Sequence, residues 1–395
     1  MFAYGSLSVV LVLYLTGLGL SETQAGFLFT LTLLGDTAVS LYLTTRADRL
    51  GRRRMLIVGA VLMAAAGLIF AWTKNFFFLI LAGTIGVISP SGGEVGPFLS
   101  IEQAALAEVV PDRLRTDFFA WYTLAGSLAA ALGSLAGGLL TSALQQTATT
   151  PVSSYRAVVA LYAAIGIVLA LLFARLSPAA EVRGAGADAP LKKTFFGVGA
   201  SRAIVLKLSA LFALDSFSGA FVMQSFAVYW FYLRFGVDPA TLGIIFFWAN
   251  VFAGLSALLA SRIAARFGLI NTMVFTHLPS NVLLILVPLM PSLPLAVALL
   301  LLRFSISQMD VPTRQSYTMA VVRPEERSAA GGVTAVARTI GAALAPVFAG
   351  FLFARPALIN LPFFIAGTMK ILYDLVLYKA FKAVRPPEEA ERTAP

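Results

Sequence analysis

Six carboxylic acids interrupt stretches that are otherwise apolar enough to lie in lipid: Asp36, Glu94, Glu102, Asp215, Asp310 and Asp374. An ionised side chain at the centre of a bilayer costs roughly 2.5–3.5 kcal/mol even on insertion-based scales. Each acid therefore needs a cation, a water-filled path or a task. An acid whose charged form burial disfavours can exchange protons at membrane depth, so Asp36, Glu94 and Asp215, which have no cation nearby in sequence, are the candidates for moving a proton. Glu102 falls near one end of its stretch and can reach the headgroups instead.

Four cations share these stretches: Arg303, Arg314, Arg338 and Lys370. Lys370 and Asp374 are four residues apart, on one face of a helix, and can neutralise each other. Asp310 and Arg314 have the same spacing, with Pro312 between them to distort the helix. Arg303 and Arg338 stand ready either to offset acids on other helices or to hold an anionic substrate, and the sequence leaves both readings open. The sole histidine, His277, reads as a packed, hydrogen-bonded residue before a proton carrier. The many aromatics between Phe217 and Trp248 read first as lipid-facing or packing residues.

Elements of a particular kind must position these groups. Hydrophobic residues make up 59% of the 395-residue chain and charged residues 12%, about half the usual soluble share. That composition excludes a disordered chain and an ordinary soluble enzyme. There is no cysteine, hence no disulfide framework or thiolate metal site. One histidine provides neither an imidazole metal cluster nor a Ser-His-Asp triad, and no Walker-type loop for ATP is present. We expect no enzyme activity, no metal and no cofactor.

A membrane helix needs about 20 apolar residues. Twelve stretches qualify: 2–19, 25–45, 55–72, 76–108, 117–140, 155–176, 203–233, 240–261, 272–290, 294–321, 328–354 and 361–381. The first is short and lacks the basic flank of a signal peptide, so it is expected to be a membrane helix missing its opening turn. The fourth is too long for one straight crossing, and Ser89-Pro90-Ser91-Gly92-Gly93-Glu94-Val95-Gly96-Pro97 cannot continue a regular helix. The tenth carries a matching polar segment with Gln308, Asp310, Pro312 and Arg314. Interrupted helices in corresponding positions of two halves point to a ligand site. Of the 29 basic residues, 21 fall in one alternate set of loops and the tail, and four in the other set. The rich side is expected to be cytoplasmic, with both termini there. This pattern, rather than nucleic-acid binding, accounts for the net charge of +10.

The loops repeat. Asp48, Arg49 and Gly51 after the second stretch align with Ala265, Arg266 and Gly268 after the eighth, and Val109-Val110-Pro111-Asp112 echoes Val321-Val322 and Pro324-Glu325. Two halves with the same loop signals indicate an internal duplication. The run from Asp48 to Arg54 resembles the Gly-x-x-x-Asp-Arg-x-Gly-x-Arg-Arg loop signature of the major facilitator superfamily (MFS). Asp48, Arg49, Gly51, Arg53 and Arg54 match it, and Thr44 replaces the leading glycine. In that family the acid docks at the N-terminus of the eleventh helix, which implies a conformational latch here, with Ser328 as the expected N-cap. Gly133-Ser134-Leu135-Ala136-Gly137-Gly138 resembles the antiporter motif Gly-Pro-x-x-Gly-Gly of drug exporters in the family, with Ser134 in place of proline. Close packing through Gly133, Gly137 and Gly138 is the alternative reading.

The resemblance implies an all-α integral membrane protein with the MFS fold: twelve transmembrane helices in two pseudo-symmetric six-helix bundles. The bundles are expected at 1–176 and 203–382, joined by a cytoplasmic linker at 177–202 and followed by a cytoplasmic tail at 383–395. The expected function is secondary transport by rocking of the bundles about a midplane site, as proton-coupled efflux of a small amphiphilic or drug-like molecule. Uptake or facilitated diffusion of a polar solute is the alternative, and a transport-inactive sensor or scaffold is the reading from a different class. The expected partners are the small molecule, protons and the lipid bilayer, with no nucleic acid. The chain is expected to act as a monomer in the plasma (inner) membrane.

Overall fold

The structure is a computed structural model that describes residues 1–92, 97–109, 112–177, 199–323 and 326–384, with only the backbone at 48, 49, 97, 104, 105, 107–109, 112–120 and 328. The described residues form helices and connecting turns. Ten helical stretches are long and apolar enough to cross a membrane, and the shorter apolar helices Phe2–Gly17 and Phe76–Ile85 stand where the first and fourth crossings were expected.

The chain falls into two compact units. The first comprises Met1–Ala189, Met223–Asn250 and Pro346–Ile359, and the second Pro190–Val222, Val251–Ala345 and Asn360–Pro395. Two segments of the second half of the sequence, Met223–Asn250 and Pro346–Ile359, thus belong with the first half.

In the first unit, α1 (Phe2–Gly17) is buried from Ala3 to Leu15. A helix apolar on every side belongs in a core, and α1 packs against α6 (Asp112–Gln146), α7 (Pro151–Phe173) and α9 (Gln224–Phe235). Around it lie α2 (Glu22–Leu50), α3 (Arg52–Trp72), α4 (Phe76–Ile85) and α5 (Pro97–Val109). Ser21 and Gln24 form a capping box at the start of α2, and their side-chain oxygens accept from two backbone N–H groups that would otherwise lack partners. Gly51 joins α2 to α3 at φ +98°, a backbone region that side chains rarely adopt.

The second unit is built from α8 (Arg202–Ala220), α11 (Leu269–Leu286), α12 (Leu293–Ser307), α13 (Asp310–Ala320) and α15 (Leu361–Phe381). Leu208, Phe212, Met273, Val274, Tyr317, Tyr373 and Leu377 form its apolar core. Two longer helices, α10 (Pro239–Phe267) and α14 (Arg327–Phe353), contribute to both units. Large apolar side chains such as Trp72, Phe77 and Trp121 stay exposed on the surface, Trp72 by 91%, as a lipid-facing surface requires. The start of α14 at Arg327 places Ser328 inside the first turn, so the expected N-cap there is displaced.

Candidate functional site: a buried charge cluster and three broken helices

Three expected crossings are interrupted. The fourth stops at Ile85 and resumes at Pro97, the tenth breaks at Gln308–Met309, and the seventh breaks between Ala220 and Gln224. The first two breaks were expected from proline and glycine. In the tenth, α13 restarts at Asp310, so Pro312 lies in a first turn, where its missing N–H leaves no bond unmade. The break in the seventh was not anticipated; Gly219, one residue before α8 ends, was the available signal.

In the first unit, the interrupted backbone is held by side chains. Val87 lies at φ +55°, a strained region for a β-branched residue. Its carbonyl accepts hydrogen bonds from Tyr4 Oη at 2.9 Å and Tyr162 Oη at 2.7 Å. The Pro90 carbonyl accepts from Ser225 Oγ at 2.6 Å, so the fourth and seventh crossings are joined at their breaks. Beside this junction, Gln224 Nε2 donates to Ser8 Oγ at 2.8 Å and Ser134 Oγ at 3.0 Å, and Gln224 Oε1 accepts from Asn250. Non-helical backbone at membrane depth requires such internal partners.

The motif glycines of α6 lie at close helix contacts. A Cβ on Gly133 or Gly137 would strike the backbone of α1 at Phe2 or Ser6, and one on Gly138 would strike Pro239 and Gly243 of α10. Glu102, partly buried on α5, accepts a hydrogen bond from Tyr122 of α6. Arg53 donates to the Ala174 carbonyl at the end of α7, where a cation complements the helix dipole. Arg54 is exposed and Arg52 buried. The side chains of the latch candidates Asp48 and Arg49 lie outside the described residues, as does Glu94. Asp36 is 9% exposed on α2.

The second unit holds the densest chemistry. Asp215 of α8 is 5% exposed and meets Lys370 Nζ of α15 at 2.5 Å and Arg314 Nη1 of α13 at 3.0 Å. Arg314 also pairs with Asp310 at 3.2 Å and lies 5.4 Å above the Phe212 ring. Asp374 is 1% exposed. Its two oxygens meet His277 Nδ1 and Asn281 Nδ2 of α11, each at 2.9 Å. His277 Nε2 is 4.0 Å from Asp215. The expected local pair of Lys370 and Asp374 is therefore corrected: each turns to another helix. A helical i,i+4 pair is worth only a few tenths of a kcal/mol, too little to hold Lys370 away from a buried carboxylate. The expected Asp310–Arg314 pair forms, and Arg314 serves Asp215 as well. Arg303 of α12 lies in the field of Asp215 and Asp310 and stacks on Phe304 at 5.0 Å. Arg338 lies partly buried on α14. The role of His277 in an ionic cluster was not legible from one isolated histidine; its spacing from Asn281, one helical turn on, was the available signal.

Membrane-length helices, some of them interrupted, and a buried ionic cluster define the class as a multi-pass membrane protein. The chain matches the Major Facilitator Superfamily over residues 1–308 and 208–395 and belongs to that family. It is 30% identical to the uncharacterized membrane protein YJR124C of Saccharomyces cerevisiae, over 97% of this chain and 92% of that one. Its fold is that of the nucleoside transporter NupG, with a TM-score of 0.72 at 15% identity, covering 96% of both chains. A shorter match, 29% identical over 131 residues, links 33% of this chain to 32% of the quinolone resistance protein NorA of Staphylococcus aureus. The chain is a secondary transporter by family.

Proposed function

We propose that the protein is a proton-coupled exporter of a small amphiphilic or drug-like molecule, working by alternating access. The observation that carries this reading is the charge inventory of the buried cluster. Three carboxylates, Asp215, Asp310 and Asp374, contact two basic side chains, Lys370 and Arg314, and one imidazole. A buried group without its counter-charge costs several kcal/mol, so a proton has reason to enter and leave this region. The local likeness to NorA and the α6 motif support export over uptake. We place the chain in the plasma membrane as a monomer with both termini cytoplasmic, its halves at 1–176 and 203–382 joined by the 177–202 linker. Asp36 and Glu94 remain candidate coupling acids, and the Asp48–Arg54 loop a candidate latch.

The test is transport by purified protein in liposomes, using a panel of amphiphilic dyes and polar solutes, with and without an imposed pH gradient. Export predicts movement of at least one amphiphile that follows the gradient. Equal movement of a polar solute with and without the gradient would replace the reading with facilitated diffusion. No movement of any compound would favour a sensor or scaffold.

A further inference from the structure

Resting on the proton-coupled reading, we propose that His277, held by Asp374, is the group that takes up and returns the transported proton, with Asp215 as the counter-ion for the imidazolium. Neutral His277 meets the Asp374 carboxylate through Nδ1, so its hydrogen belongs on that atom. Asn281 Nδ2, 3.2 Å from His277 Nδ1, directs its own hydrogen to Asp374. Nε2 is left with its lone pair toward Asp215 at 4.0 Å, too far for a hydrogen bond but close enough for ionic attraction. One proton arriving at Nε2 gives the imidazolium, and its departure restores the imidazole; no other bond changes.

The neighbours of His277 make both states tenable. Asp215 comes from α8, Asp310 and Arg314 from α13, Lys370 and Asp374 from α15, and the Tyr373 ring packs edge-on with centroids 6.1 Å apart. Among groups in direct contact, the net charge is −1 with His277 neutral and zero with it protonated. Arg303 of α12 adds one positive charge to the wider field without an ion pair to any described residue. The site thus stays within one charge of neutrality in either state. Asp215 is in contact with two basic side chains and Asp310 with one, whereas Asp374 is in contact with His277 and Asn281. Asp374 is therefore the carboxylate that benefits most from the arriving proton.

His277 is the sole histidine, so ¹⁵N-histidine labelling of a protein without a histidine tag yields one imidazole signal. In lipid nanodiscs the signal should pass from the Nδ1–H tautomer to imidazolium on acidification, and Asp374→Asn should change both tautomer and titration. A pH-invariant signal, or an identical titration in Asp374→Asn, overturns the proposal. In liposomes with ethidium as the probe, His277→Asn and Asp374→Asn should lose gradient-driven movement and keep gradient-independent exchange. Asparagine at 277 can still hydrogen-bond Asp374 but cannot carry the proton, so restored coupling in His277→Asn means a structural role and sinks the proposal. Wild-type-like coupling in both variants also sinks it, while leaving export intact. If the wild type moves no ethidium under a gradient, export of that probe fails and the imidazole titration alone decides the site.

Discussion

Lys370 Nζ of α15 lies 2.5 Å from Asp215 Oδ1 of α8, and Gly219, one turn beyond Asp215, leaves room for the lysine stem: a Cβ there would lie 3.3 Å from Lys370 Cε. Removing one member of a buried ion pair costs about 3–5 kcal/mol, whereas removing both is nearly neutral. Lys370→Met should therefore lower the thermal unfolding midpoint sharply, and Asp215→Asn in the same chain should recover most of the loss. Equal melting of Lys370→Met and wild type would show that Arg314 alone satisfies Asp215.

The Val87 carbonyl depends on two tyrosine hydroxyls. Tyr4→Phe or Tyr162→Phe should each cost about 1 kcal/mol, and the double variant, which removes both of these donors, about 1–3 kcal/mol beyond the sum of the two. Denaturant or thermal unfolding of the purified variants measures this. Strictly additive single effects would show that another donor replaces the tyrosines.

Gly138 is where α6 approaches Pro239 and Gly243 of α10. Gly138→Val should force the helices apart, at about 1–3 kcal/mol, and reduce transport in the liposome assay. Full stability and transport would remove close packing as the reason for glycine at this position.

Glu326, in the turn before α14, accepts hydrogen bonds from the N–H groups of Gly199, Ala200 and Ser201, each at 2.9 Å. These bonds, led by the one from Ser201, lower its pKa to about 2. A carboxyl with a depressed pKa contributes above its ordinary range near 4.5 and loses that contribution as pH falls toward 2. Amide exchange at 199–201 should thus be slow at neutral pH, relative to intrinsic rates, and lose protection below about pH 3. Glu326→Gln should show weaker protection at every pH. Unchanged protection in that variant would free the turn from Glu326.

Asp48→Asn addresses the proposed latch. Transport should fall while expression and substrate binding persist, because the residue is assigned to the conformational equilibrium. Unchanged transport rates would confine the loop to membrane orientation.

Much of this architecture was legible in the residues alone. Apolar runs of membrane length located the crossings, because hydrocarbon tolerates few other patterns. Proline and glycine at Ser89–Pro97 and around Pro312 marked two of the three breaks, because their backbone limits are local. Four-residue spacing also anticipated Asp310 with Arg314. The same rule failed for Lys370 and Asp374, since the demand of buried Asp215, 155 residues from Lys370, outweighs a weak helical pair. A single glycine, Gly219, was too weak a signal to announce the break in the seventh crossing. Its bond from Ser225 to the Pro90 carbonyl spans 135 residues, and only a folded chain brings that acceptor within reach. The grouping of His277 with Asp374 and Asp215 has the same origin: spacing along one helix determines which side chains share a face, and packing between helices decides which charges meet.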